Sequence, residues 1–248
     1  MTAFRGTFAA RKPILGMLHL GGDTPADRLA RALEEARIMA GEGLDGLVIE
    51  NYFGDAEDVE RVLERLVALA PGPRIGINVL HDNARAFALA RAYPVDFMQI
   101  DSVCGHLPPD QDAAFAEDLA AGRASVPALL LGGVRFKYQP VLSGRTEDED
   151  LRLGAARCDA LVVTSDATGQ ETDPAKIRRF RAAIGSTVPV IVGAGMTEAN
   201  AAAQLALADG AIVGSWLKEG HVDKGRLSAP HVARFMAAVR RARGDAAA

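Results

Sequence analysis

Aromatic residues are scarce, at 5% of the 248-residue chain. All-β sandwiches and barrels draw heavily on aromatic and β-branched side chains, so this scarcity, with alanine abundant throughout, argues for a fold in which helices dominate. Only two cysteines occur, Cys104 and Cys158, which excludes a disulfide framework. No apolar run approaches the ~18–20 residues that a membrane-spanning helix needs. Arg5, Arg11 and Lys12 near the start are not followed by the apolar stretch of a signal peptide, so the cytoplasm is the expected compartment. Positive charge is not in excess either. A net charge of −4 gives no general field for nucleic acid or an anionic membrane, and neither is expected as a partner.

What is present is an ordinary soluble composition, 49% hydrophobic and 24% charged, at a length typical of one α/β barrel. Divided by eight, the 248 residues give 31 per unit, enough for a strand, a helix and two loops. Four apolar runs follow a proline, at Pro13, Pro73, Pro127 and Pro189, and their spacing is nearly even. Four others follow an aspartate, at Asp45, Asp96, Asp159 and Asp209, again at similar intervals. The two sets alternate. They predict strands at 14–17, 46–49, 74–79, 97–100, 128–131, 160–163, 190–192 and 210–213. Proline is tolerated as a strand begins, and aspartate suits a helix-to-strand turn. Helix starts lie between them: Thr24-Pro25 with Asp27, the capping box Thr146 to Glu149, Asp173-Pro174, and Thr197. The runs are continuously apolar, as when helices cover both sheet faces. The predicted fold is a single-domain α/β (β/α)8 TIM barrel over residues 13–243, with an N-terminal segment 1–12 and a disordered tail 244–248. An open doubly wound sheet is the competitor, but quarter periodicity favours closure.

Chemistry in such barrels collects at the carboxyl ends of the strands, and that rule sorts the polar residues. His19, Glu50-Asn51, Asn78, Asp101, Lys137, Thr164, Asp166 and Gln170 fall at that end, whereas the four aspartates that enter strands fall at the other. Cys104 and Cys158 likewise fall at opposite ends, about 17 Å apart along a strand, too far to pair. Strand 7 leads into Gly193-Ala194-Gly195 and strand 8 into Gly214-Ser215. These are the two loops that hold phosphate in barrels of the phosphate-binding type, where bare backbone N–H groups approach the anion; a tight turn alone would also use these glycines. Glu50 at an apolar barrel mouth suits a general base and Lys137 an electrophile or Schiff-base amine, with a structural Glu–Lys pair as the plain alternative. His19 and Asp101 complete the catalytic candidates, and His19 alone fits a core imidazole equally well. Asn51, Asn78, Thr164, Asp166 and Gln170 are substrate-binding candidates. No tight metal-ligand spacing occurs and no cofactor is predicted, although Mg²⁺ entering with a substrate phosphate would leave little trace. Three long loops, 102–112, 133–145 and 215–228, read as lids, and Trp216 in the last suits a subunit contact; a homo-oligomer is expected.

Several stretches together resemble the BtpA/SgcQ family: Gly16-Met17-Leu18-His19-Leu20, Glu50-Asn51-Tyr52-Phe53-Gly54-Asp55-Ala56, Gly76-Ile77-Asn78-Val79-Leu80, Asp159 through Thr164, Ala167-Thr168-Gly169-Gln170, Asp209 through Ser215, and Leu217-Lys218. The resemblance runs from about Pro13 to Met236 and implies a phosphate-binding-type barrel; the family takes its name from a member implicated in photosystem I biogenesis. The chain departs from the family pattern at Gly21-Gly22-Asp23, Gly132-Gly133-Val134, Lys137-Tyr138 and Ser165-Asp166, all near the predicted mouth, which implies a different substrate. The expected function is an isomerase- or lyase-type enzyme acting on a small phosphorylated metabolite. A non-catalytic assembly or regulatory factor is the alternative.

Overall fold

The computed structural model describes residues 3–245. Its centre is a closed barrel of eight parallel strands in chain order: β1 (Ile14–Leu18), β2 (Gly46–Glu50), β3 (Arg74–Asn78), β4 (Phe97–Cys104), β5 (Leu129–Val134), β6 (Ala160–Val163), β7 (Val190–Val192) and β8 (Gly210–Val213), with β8 pairing back to β1. A short α1 (Ala3–Thr7) precedes the barrel. Around it lie α2 (Pro25–Gly41), α3 (Ala56–Leu69), α4 (Asn83–Ala92), α5 (Pro109–Ala124), α6 (Glu147–Arg157), α7 (Pro174–Ile184), α8 (Ala201–Leu207) and α9 (Ala229–Arg243). The predicted (β/α)8 barrel is therefore the fold. Thr24 and Thr146 form the expected capping boxes, and Asp173 caps α7 ahead of Pro174. Thr197 does not cap α8 directly. It makes a reciprocal turn with Asn200, and the helix starts one residue later.

The proline–aspartate rhythm has a structural cause at the amino end of the barrel. Asp45 Oδ2 accepts from the Ile14 N–H at 2.8 Å, Asp96 from Ile75 at 2.8 Å, Asp159 from Leu130 at 2.8 Å and Asp209 from Val190 at 3.0 Å. The backbone N–H of each aspartate returns a bond to the carbonyl of the same residue. Each even strand is thus clamped to the odd strand before it by two bonds. An arginine pairs with each carboxylate: Arg243, Arg74, Arg123 and Arg181 in turn. The rhythm is a fourfold repeat of one clamp, and its residues belong to the face opposite the chemistry.

Strand alternation divides the core. Leu15, Met17, Val48, Phe97, Leu129, Leu131, Val162, Ile191 and Ile212 fill the barrel interior, while Leu18, Ile49, Ile77, Met98, Leu130 and Leu161 meet the helices. Phe4 and Phe8 join the interior cluster, with the Phe8 ring 5.7 Å from Phe97. The segment expected to lie outside the barrel therefore closes its floor, because an apolar interior open at that end would be wet.

Two expectations change. The strand predicted at 97–100 runs on to Cys104 through an irregularity after Ile100, and Pro109 opens α5. Little of the expected 102–112 lid remains as loop. At the other end Gly244 ends α9 in the left-handed conformation, so of the expected disordered tail only 246–248 lie outside the described residues. Both cysteines are free and buried, and burial pushes their thiols up, to about 11 for Cys104 and about 12 for Cys158.

Candidate active site

The parity that sends Leu15 and Met17 inward also sends His19 inward. Likewise Val48 is followed two residues later by Glu50, and Phe97 by Gln99 and Asp101. The interior series becomes polar at the carboxyl end, where a cavity of about 390 Å³ opens. His19, Glu50, Asp101 and Lys137 all line it, as do Gly193, Gly195, Gly214 and Ser215. The catalytic and phosphate-binding candidates from the sequence therefore share one chamber.

Glu50 is buried beside His19, with Oε2 3.6 Å from His19 Nε2. The Asn78 amide donates to Glu50 Oε1 at 2.8 Å and lies 3.1 Å from Asp101 Oδ1, tying the two carboxylates together. Burial, reinforced by the Asp101 charge, pushes the Glu50 carboxyl up to about 8. Burial and the nearby Lys218 and Lys137 charges hold His19 well below its usual value. Glu50 and His19 therefore face each other as a neutral acid and a neutral imidazole at pH 7, not as an ion pair.

Lys218 decides which nitrogen of that imidazole carries the proton. Its Nζ, 2.7 Å from His19 Nδ1, also donates to the Asp223 carbonyl at 2.8 Å. An ammonium offers only donors, so Nδ1 accepts and the imidazole proton sits on Nε2, facing Glu50. Lys218 is buried, and burial brings its amine down to about 8. The Asp223 carboxylate takes the Ser215 hydroxyl and lies 3.4 Å from the Tyr52 hydroxyl, strapping the 215–228 loop across the mouth.

On the opposite wall Lys137 Nζ donates to Thr168 Oγ1 at 2.9 Å, and its backbone N–H to Thr164 Oγ1 at 3.3 Å. Its neighbours Arg135 and Arg145 do not reach the cavity. They bind the buried Asp150 and Asp112 beneath the loop, which leaves Lys137 as that loop's cation at the site.

Four sequence candidates take supporting or peripheral places. Thr164 is buried under the Lys137 backbone. Asn51, next to an inward residue, points away from the barrel interior and accepts from the Leu80 N–H at 2.7 Å. Asp166 and Gln170 are exposed and do not line the cavity. Ser165 Oγ lies 2.9 Å from both the Ala167 and Gln170 carbonyls, folding that loop on itself and turning the two side chains outward. Trp216 is stacked within the chain, 3.8 Å from the His221 ring. Lys218, Asp223, Tyr52, Thr168 and Gln99 escaped the sequence reading as site residues. Strand parity signals Gln99, but the others depend on how loops fold back.

Two glycines are fixed by this geometry. Gly195 has a φ of +67°, and a β-carbon there would meet the Gln170 carbonyl oxygen at 2.1 Å. A β-carbon on Gly214 would meet His19 Cε1 at 2.9 Å. Among the described residues, no three His, Cys, Asp or Glu side chains converge in a way that could hold a metal ion, and no helix is long and apolar enough to cross a membrane.

The BtpA family matches residues 10–241 of this chain. The chain belongs to the BtpA family. An uncharacterised protein of Pyrococcus abyssi is 30% identical over 94% of this BtpA-family chain and 98% of its own length. The Photosystem I biogenesis protein BtpA of Synechocystis is 28% identical over 86% of this chain and 82% of that protein. Among solved structures, thiamine phosphate pyrophosphorylase from Pyrococcus furiosus superposes with a TM-score of 0.63 at 15% identity, covering 96% of this chain and 98% of the other. That likeness is one of fold, shared by this member of the BtpA family and an enzyme of quite different sequence.

Proposed function

We propose that the chain is an enzyme that moves a proton on a small phosphorylated metabolite, in an isomerase or lyase reaction. The observation that carries this reading is Glu50, a buried carboxyl lining the cavity and kept protonated near neutral pH opposite a neutral His19. A carboxyl whose pKa lies near working pH both gives and takes protons efficiently. Glu50 is the acid–base group. His19 presents its Nε2–H to the reacting atom, and Lys137 stabilises negative charge developing on a substrate oxygen. Asn78 keeps Glu50 oriented, while the Asp101 charge, with burial, holds the proton on it. The backbone around Gly193–Gly195 and Gly214–Ser215 receives the phosphate, which competes with Asp223 for the Ser215 hydroxyl; Thr164 supports the Lys137 loop. Asp166 and Gln170 sit at the rim, where a larger substrate would reach them.

The fold shared with an enzyme named for thiamine phosphate supports the phosphate assignment by analogy. The similarity to a photosystem I biogenesis protein supports a second reading, an assembly factor that keeps the pocket without turnover. Titration with orthophosphate and simple alkyl phosphates, followed by ³¹P NMR, tests the first. Binding in the millimolar range or tighter is expected, tightening in Asp223→Asn as the competing carboxylate loses its charge and unchanged in Glu50→Gln. No binding of any phosphorylated compound would sink it.

A further inference from the structure

Beside the main cavity lies a smaller one of about 180 Å³, lined by Asn78, Ser102 and His106, with Asp101, His81 and Gln139 facing both chambers. It occupies the space between the loops after β3 and β4. The irregular second half of β4 opens it: strand pairing with β5 lapses between Ile100 and Cys104, and Asp101 and Ser102 fall in the gap.

The chemistry of this side pocket differs from that of the main cavity. Among the described residues no lysine or arginine lines it, so it lacks the fixed positive charge of the main cavity. Residues that line it carry polar atoms in need of partners. Ser102 is 6% exposed and its Oγ has no hydrogen-bond partner among the described residues; the buried His106 Nδ1 has none either. The His106 ring packs edge-on against Phe115, at 4.9 Å and 82°. Gln99 repeats the pattern in the main cavity, beside Asp101. Its Nε2 donates to Asp101 at 3.0 Å while its buried Oε1 stays unpartnered. Leaving buried polar atoms unsatisfied is costly, and structures that keep them normally use them.

A hydroxyl group both gives and receives hydrogen bonds, which matches a serine hydroxyl, an imidazole and one carboxylate on the lining residues. An ammonium ion would use the acceptors but leave the serine proton without a partner from the ligand. The volume equals that of about six waters at ~30 Å³ each, room for a short polyol fragment. We propose that the side pocket seats the hydroxylated end of the substrate, so that the ligand class is a polyol or sugar phosphate rather than an alkyl or aryl phosphate. This rests on the proposed phosphate reading for one end of the ligand, but the hydroxyl site stands on its own residues.

The test compares matched probes on the full chain by calorimetry: orthophosphate, n-pentyl phosphate and ribitol 5-phosphate, with free ribitol and pentylamine followed by amide NMR. Ribitol 5-phosphate should bind about tenfold tighter than pentyl phosphate, each added hydrogen bond contributing several-fold. Ser102→Ala and His106→Gln should each remove most of that advantage and leave orthophosphate affinity unchanged. Free ribitol at high concentration should shift the Ser102 and His106 amide signals in the wild-type chain and not in Ser102→Ala. Equal binding of the two phosphate esters, survival of the advantage in both variants, or a stronger response to pentylamine than to ribitol would each overturn the proposal. Ribitol shifts without any phosphate binding would uphold the hydroxyl site and defeat the phosphate reading, so the two failures are separable.

Discussion

Glu50 shows how much a single buried group depends on its surroundings. Between pH 4.5 and about 8 the folded chain keeps a proton on Glu50 that the unfolded chain has released. Stability therefore falls as pH rises through that window and levels off above it. Glu50→Gln has no proton to lose, and its amide oxygen can still accept from Asn78. The variant should be about as stable as the wild type near pH 5 and more stable by pH 9, by roughly 4 kcal/mol at 1.36 kcal/mol per pH unit. Urea unfolding at a series of pH values checks this, and a gap that does not widen with pH contradicts a buried, protonated Glu50. The position of Glu50 was legible in the sequence as the last residue of an apolar strand. A pKa raised by burial was legible there too, but the further push from Asp101 was not, because a later strand brings that carboxylate alongside.

At the scale of elements, the loop from β5 to α6 is held from beneath. Asp112 at the start of α5 accepts from Arg157 and Arg145, and Asp150 in α6 takes Arg135 and Arg145. The hydrogen bonds from Arg157, with those from Arg145, pull the Asp112 carboxyl down to about 2. Its stabilising contribution is complete above the ordinary pKa of 3.8 and disappears only as pH falls through about 2. Asp112→Ala leaves two arginines without their partner and should cost about 3 kcal/mol in denaturant unfolding at neutral pH. An effect no larger than that of an exposed surface ion pair would mean that the loop is held by packing instead. Arg135, Lys137 and Arg145 all lie within the 133–145 segment. The tertiary structure divides them, since two meet buried carboxylates from α5 and α6 and only Lys137 is left to face the cavity.

At the scale of the molecule, the two ends of the barrel do different work. The amino end carries four aspartate clamps and the aromatic floor of Phe4, Phe8 and Phe97. The carboxyl end carries every titratable group of the candidate site. Phe8→Ala should therefore cost about 3–5 kcal/mol of stability, as for other buried phenylalanines, while ligand affinity at the far mouth stays within twofold. A large loss of affinity at temperatures where the variant is fully folded would show that the floor and the site are coupled.

The sequence by itself determined the architecture and its orientation. Proline and aspartate at alternating strand entries are local backbone requirements repeated four times, and strand parity then carries His19, Glu50 and Asp101 to the working end. Only the tertiary structure decided the electrostatics and the company each residue keeps. Lys218 reaches His19 from the opposite end of the chain, Ser102 and His106 flank a side pocket, and Asp166 and Gln170 turn outward. Local chemistry repeats along a chain and can be read there; proximity between distant loops, and the dielectric they enclose, exists only once the barrel has closed.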